Sequence, residues 1–384
     1  MSVRIPVAFA AALAVLASSL TLGAKAPATP GFDAAAAARY LDRRMDVWWQ
    51  KAKPLKSAGG ETKCLSCHTA IPYALARPVL GRALGNPAPT AHETAIRDTV
   101  LTRLEHLDDQ QPFYDHTEAK KIESRGVEAV LSVFLLTSDD SERSATTSLA
   151  MTAKAFARLW QVQRADGAWD WLDFGLEPYE TTGAVFHGAT LAAMASGSPM
   201  GRRVSADAAG IAGTEKLRGY LQTNLASQRL FNRSWALLAS SRLTGLLSVR
   251  DQDAIVGALE AAQRPDGGWS LADLGDWHWS KAAAPYSSPG QTNGALLAAS
   301  DGYATGLVVY AMKQAGRGSR PVVQKGLTWL RANQQPEREG DDGWAPWRAH
   351  SLNFDRERGG DKGEPWRRMF MSDMATAFAV LALL

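Results

Sequence analysis

The sequence predicts an all-α protein, an (α/α)6 toroid of helical hairpins, and three observations lead there. Apolar residues recur at helical spacing in paired stretches along the chain, and sustained strand-period alternation is not evident. A stretch running from Gln through Asp-Gly to Trp occurs at 163–169, at 263–269 and from 335 to 344. The second member of several pairs is rich in small residues and carries few charges after its first turn. A helix apolar on nearly every side is buried on nearly every side, whereas the first members keep a charged face for solvent. Inner and outer helices in that alternation close into a ring.

Period and breakers give six hairpins. They pair residues 33–51 with 68–84, 92–107 with 124–136, and 145–163 with 180–195. The remaining three pair 207–225 with 232–246, 251–263 with 302–314, and 322–333 with 373–384. Trp169 and Trp269 lie 100 positions apart with one motif-less pair between them, so the repeat is about 50 residues, the signature of a helical array. In the repeated loop Gly permits the turn, Asp caps it, and Trp packs on the neighbouring hairpin.

The first connection holds Cys64-Leu65-Ser66-Cys67-His68, which contains both cysteines of the chain. This is the C-x-x-C-H pattern of covalent haem attachment. Cys64 and Cys67 would each bond one vinyl group of a single haem c, and His68 would be the proximal iron ligand. A Cys64–Cys67 disulfide and a zinc site are the competing readings. The first lacks a βαβ context and the second lacks another cysteine pair. Since the motif stands where the first inner helix begins, the haem is expected at the mouth of the central cavity.

A sixth ligand is less defined. No methionine occurs between Cys67 and Met151, which leaves His187, His278 and His350 as candidates, or an open position. His92, His106 and His116 lie in or beside the second outer helix and read as solvated. Glu128, Glu180, Asp301 and Asp373 fall in or near the first turns of inner helices. They are caps or dipole partners on one reading and catalytic cavity acids on the other. Two connections are long, 264–301 and 334–372, and loops of that length are commonly functional. They carry Trp277, His278, Trp279, Pro285, Tyr286, Trp344, Trp347, His350 and Trp366, either as walls for the haem or as a lid packed on its own aromatics.

Residues 1–26 read as a secretory signal, with Arg4, an apolar run and Ala24-Lys25-Ala26 as the cleavage site. That makes residues 27–90 an N-terminal hairpin with the haem motif, and 91–384 the rest of the toroid. No later segment is apolar enough to span a bilayer. A net charge of +3, from 42 basic and 39 acidic residues, gives no reason to expect a nucleic-acid partner. A periplasmic or otherwise exported location follows.

The Gln…Asp-Gly-Gly-Trp repeats and the small-residue inner helices, such as Asp373-Met-Ala-Thr-Ala, resemble the terpenoid-cyclase and prenyltransferase toroids, squalene–hopene cyclase above all. The resemblance covers 145–384 and implies architecture. The cyclase motif Asp-x-Asp-Asp-Thr-Ala is replaced here by Ser372-Asp373-Met374-Ala375-Thr376-Ala377, so the acid that starts cyclisation is missing. The zinc-dependent prenyltransferase chemistry lacks its cysteine as well. The expectation is therefore an exported monohaem c-type protein, working in electron transfer or in haem-based redox chemistry. Its partner would be a redox protein or a small apolar molecule. The alternatives are a periplasmic isoprenoid- or lipid-binding protein with a structural or sensory haem, and a cyclase-like or lyase-like enzyme with a Cys64–Cys67 disulfide and no haem.

Overall fold

Asp33 accepts a hydrogen bond from the Ala36 amide and opens helix α1 (Ala34–Lys51), which buries Ala37, Tyr40, Leu41, Arg44, Met45 and Trp48 along one face. The structure, a computed structural model, describes residues 31–138, 149–277, 299–338, 340–353 and 365–384. The signal-like segment 1–26, His278, Trp279, Pro285 and Tyr286 lie outside these. Residues Phe32–Leu384 form one compact unit.

The remaining outer helices are α3 (Ala91–Glu105), α5 (Leu149–Gln161), α8 (Ala208–Asn224), α10 (Val249–Ala261) and α12 (Pro321–Ala332). Each buries a stripe rather than a surface. In α5 it is Thr152, Ala155, Phe156 and Leu159, and in α12 it is Val323, Gly326, Leu327 and Leu330. Both follow the i, i+3, i+4, i+7 spacing of a helix with one face to the core.

The inner helices are α2 (Ala70–Ala83), α4 (Glu118–Thr137), α6 (Ala184–Gly197), α9 (Leu230–Ser240), α11 (Gly302–Gln314) and α13 (Phe370–Leu383). Every residue of α13 is buried, and so is every residue of α6 except Val185. Small residues make this possible because the backbones approach closely. A Cβ added at Gly306 would stand 2.6 Å from the backbone of α13. Each inner helix touches the next, from α2 through α4, α6, α9 and α11 to α13, and α13 returns to α2. The (α/α)6 toroid is therefore closed, with the Cys64–His68 segment directly before its first inner helix.

The repeated loops tie neighbouring hairpins together. Trp169 donates its indole N–H to the Leu159 carbonyl at 2.9 Å, and Trp269 does the same to Leu259 at 2.8 Å. Gln163 reaches the Gly213 carbonyl of α8 at 2.9 Å, and Gln263 reaches the Val322 carbonyl of α12 at 2.8 Å. The third repeat departs from its expected register. Trp347, not Trp344, bonds the end of its outer helix, at Leu330, and Gln334 rather than Gln335 makes the onward link. Gln334 exchanges two hydrogen bonds with the backbone of Asp33, which closes the ring onto α1.

Three features depart from the periodicity reading. An antiparallel hairpin, β1 (Pro54–Ser57) with β2 (Gly60–Lys63), precedes the cysteines. Its turn uses Gly60 at φ +118°, a conformation that side chains rarely adopt. Helix α4 begins at Glu118, capped by Thr117, because the polar turns Glu118–Glu123 are helical too. A short helix, α7 (Pro199–Val204), sits between the third and fourth hairpins.

Candidate functional site at the mouth of the ring

The acids that open the inner helices have distinct roles. Asp373 is the most enclosed. It accepts from Arg44 Nε at 2.6 Å, Arg44 Nη2 at 3.1 Å, Tyr40 Oη at 2.8 Å and Thr69 Oγ1 at 2.8 Å. Those donors come from α1 and the start of α2, so Asp373 staples the seam where the ring closes. Burial pushes its carboxyl up, against the pull of Arg44. Asp301 caps α11, accepting from the amides of Tyr303, Ala304 and Leu271, and burial raises its pKa to about 6. Glu128 lies mid-helix in α4 and forms a bidentate ion pair with buried Arg103, at 2.5 and 3.1 Å. Arg103 also bonds Thr62 of β2, so the pair clamps the hairpin to the second helical pair. Glu180 precedes α6, is half-buried, and shares a small cavity with His68, Glu177, Tyr179 and Arg367.

The cysteine segment is pinned on both sides. Trp48 donates to the Cys64 carbonyl at 3.0 Å, and Ser66 Oγ accepts from the Thr69 and Ala70 amides, each at 3.0 Å. Cys64 and Cys67 are half-buried thiols, and burial beside the Glu180 carboxylate raises both well above the usual range. His68 Nδ1 lies 3.1 Å from Thr69 Oγ1, and its ring stacks on Phe370 with centroids 3.4 Å apart.

The haem expectation is corrected here. The C-x-x-C-H pattern stands in the sequence, but its surroundings do not fit a porphyrin. The cavity that His68 opens into measures about 10 Å³, room for a single water. Pockets for drug-sized ligands run to several hundred Å³. Phe370, Met371, Arg367 and Glu177 wall that cavity closely around His68. Among the described residues no group of three His, Cys, Asp or Glu side chains is placed to hold a metal ion. A Cys64, Cys67 and His68 haem c site, and the iron, cytochrome and electron-transfer readings built on it, are set aside, and no step is derived through haem.

The three distal candidates separate. His187 lies inside the ring among Trp235, Tyr179 and Phe231, with centroids 4.6, 5.2 and 6.2 Å away. Its Nδ1 is buried without a hydrogen-bond partner, and burial lowers its pKa to about 3. With Trp171, Tyr303 and Phe378 these rings fill the centre of the toroid as packed core. His350 lies outside the core, on the wall of a different cavity, and His278 falls outside the described residues.

That second cavity is an open cleft of about 850 Å³. One wall is the exposed side of α1, with Arg43, Asp46 and Lys51. The other is the loop carrying Asp341, Asp342, Trp344, Arg348 and His350, and the floor is Trp366, Arg368 and Ser372. Arg43 lies over the Trp344 ring at 5.3 Å and pairs with Glu337 at 3.4 Å. Asp46 lies 3.0 Å from His92 Nε2. Asp341 accepts from the Gly343 amide at 2.9 Å, whereas Asp342 has no hydrogen-bond or ion-pair partner among the described residues. Carboxylates, cations and indole rings therefore meet on one accessible surface. Sequence reading named Trp344, His350 and Trp366 but missed Asp46, Asp341, Asp342 and Arg348. The doublet Asp341-Asp342 was the available signal, and it was read only as part of the repeat.

No family model and no curated protein matches the chain. Among solved structures, the unsaturated glucuronyl hydrolase of Bacillus sp. GL1, described as responsible for the degradation of glycosaminoglycan, aligns with a TM-score of 0.50 at 11% identity, covering 89% of this chain and 94% of that one. A UGL variant with dGlcA-Glc-Rha-Glc aligns with a TM-score of 0.47 at 12% identity, over 89% and 94% of the two chains. The likeness is one of fold. It sets the toroid beside the glucuronyl hydrolases rather than the squalene–hopene cyclases, and corrects the resemblance drawn from the repeats.

Proposed function

We propose that this protein is a hydrolase of acidic oligosaccharides, working in the cleft between α1 and the loop before α13. The observation that carries the reading is the composition of that cleft. Its 850 Å³ suit a ligand of a few sugar rings. Trp366 offers a half-buried aromatic face, and Lys51, Arg348 and Arg368 offer exposed cations for the carboxylates of such a ligand. Carboxylates face the cleft from two sides, Asp46 from α1 and Asp342 from the loop. Glycosidic hydrolysis generally needs one carboxyl as proton donor and one as base or nucleophile. We assign those parts to Asp46 and Asp342, with His92 orienting Asp46. The glycosaminoglycan-degrading activity of the similarly folded hydrolase supports the same substrate class by analogy only. The basic start, apolar run and Ala-x-Ala of residues 1–26 support export, where such polymers are met.

The test is release of new reducing ends from a panel of neutral and uronate-containing oligosaccharides. Cleavage confined to the acidic members is expected. Asp46→Asn and Asp342→Asn should each lower kcat by about 10²-fold or more while leaving KM little changed. Cleavage of neutral members alone, or full activity in both variants, overturns the assignment.

A further inference from the structure

Cys64 and Cys67 have no part in the proposed hydrolysis. They do not line the cleft, and haem does not fit beside them. Their setting is nonetheless constructed. The Trp48 indole holds the Cys64 carbonyl, and the Ser66 hydroxyl holds the Thr69 and Ala70 amides. The Ile71 amide closes the turn on the Ser66 carbonyl at 3.2 Å. Thr69, two positions past Cys67, is fixed in turn by Asp373 at 2.8 Å. The backbone between the thiols thus has little freedom, and burial, with the Glu180 carboxylate adding to it, pushes both thiols up. Both residues keep part of their surface exposed.

We propose that Cys64 and Cys67 form a dithiol redox site that closes to an intramolecular disulfide on reaction with a small disulfide oxidant. The thiolate of one cysteine attacks a sulfur of the oxidant and expels one small thiolate, leaving a mixed disulfide. The second cysteine then attacks its neighbour's sulfur and expels the other small thiolate. The two protons from the cysteines end on the released thiols, so one disulfide is reduced as one forms. Two residues separate the cysteines, a spacing that redox-active pairs share. The raised thiols make the first attack slow, and the pinned backbone makes the second fast once the first has occurred.

The full-length protein incubated with oxidised glutathione, then alkylated and weighed intact, tests this. The wild type should lose two hydrogens and take up no alkylating agent at either cysteine. Cys64→Ser and Cys67→Ser should each stop at a single glutathione adduct. Prior reduction should restore two alkylations, with the cleft activity unchanged in every form. Glutathione retained on both cysteines of the wild type, or two alkylatable thiols after prolonged exposure, would overturn the proposal.

Discussion

Replacing Asp373 should open the ring at its seam. The Arg44 and Asp373 side chains are 8% and 1% exposed, so Asp373→Ala strands a guanidinium in the interior. Removing one partner of a buried pair costs about 3–5 kcal/mol. Tyr40 and Thr69 lose an acceptor as well, each worth about 1 kcal/mol, less what water recovers. A total of about 4–6 kcal/mol is a large share of the roughly 5–15 kcal/mol that holds a folded domain together. Urea unfolding gives the sum, and native-state hydrogen exchange gives the location. Protection should fall first in Ala34–Lys51, Ala70–Ala83 and Phe370–Leu383, the three helices that the carboxylate joins. The double variant Arg44→Met, Asp373→Leu removes the stranded charge and should recover at least about 2 kcal/mol, because apolar replacement of a buried pair is close to neutral. A single variant within about 1 kcal/mol of wild type, or a double variant no better than the single, would refute the staple.

Other perturbations have defined signs. Asp301 has a folded pKa of about 6 against 3.8, so its contribution is present below 3.8 and is lost as pH rises through 6. The stability of Asp301→Asn relative to wild type should therefore improve by about 3 kcal/mol between pH 3.5 and 7, read by urea unfolding. His187 runs the other way. Its pKa falls from 6.5 to about 3, so its contribution is present above 6.5 and is lost as pH falls towards 3. His187→Phe should lessen the loss of stability between pH 6.5 and 4 by about 3 kcal/mol. Gly126→Ala would set a methyl 2.1 Å from the Asp170 carbonyl oxygen, and thermal unfolding should show a loss of at least about 2 kcal/mol from that backbone clash.

The helical ring was legible because its information is local and periodic. Outer stripes such as Thr152, Ala155, Phe156 and Leu159, and small-residue, largely apolar inner runs such as Phe370–Leu383, declare their burial in sequence. The seam was not legible. Asp373 meets Arg44 across 329 positions and Gln334 meets Asp33 across 301, and no periodicity names a partner at that range. The same gap misled the reading of Cys64–His68. The spacing of two thiols and an imidazole is local, but the room for a porphyrin is decided by Arg367, Phe370 and Met371 from the far end of the chain. The cleft was half legible. Its indoles stood out, whereas Asp46 reads as one more solvated charge on an outer helix until the loop bearing Asp342 is placed opposite.

The most direct test of the central claim is hydrogen–deuterium exchange of the wild-type protein with and without a saturating acidic oligosaccharide. Protection is predicted in the second half of α1, around Asp46, in the loop from Asp341 to His350, and around Trp366. Protection elsewhere with those segments unchanged, or no protection at saturation, would contradict the account.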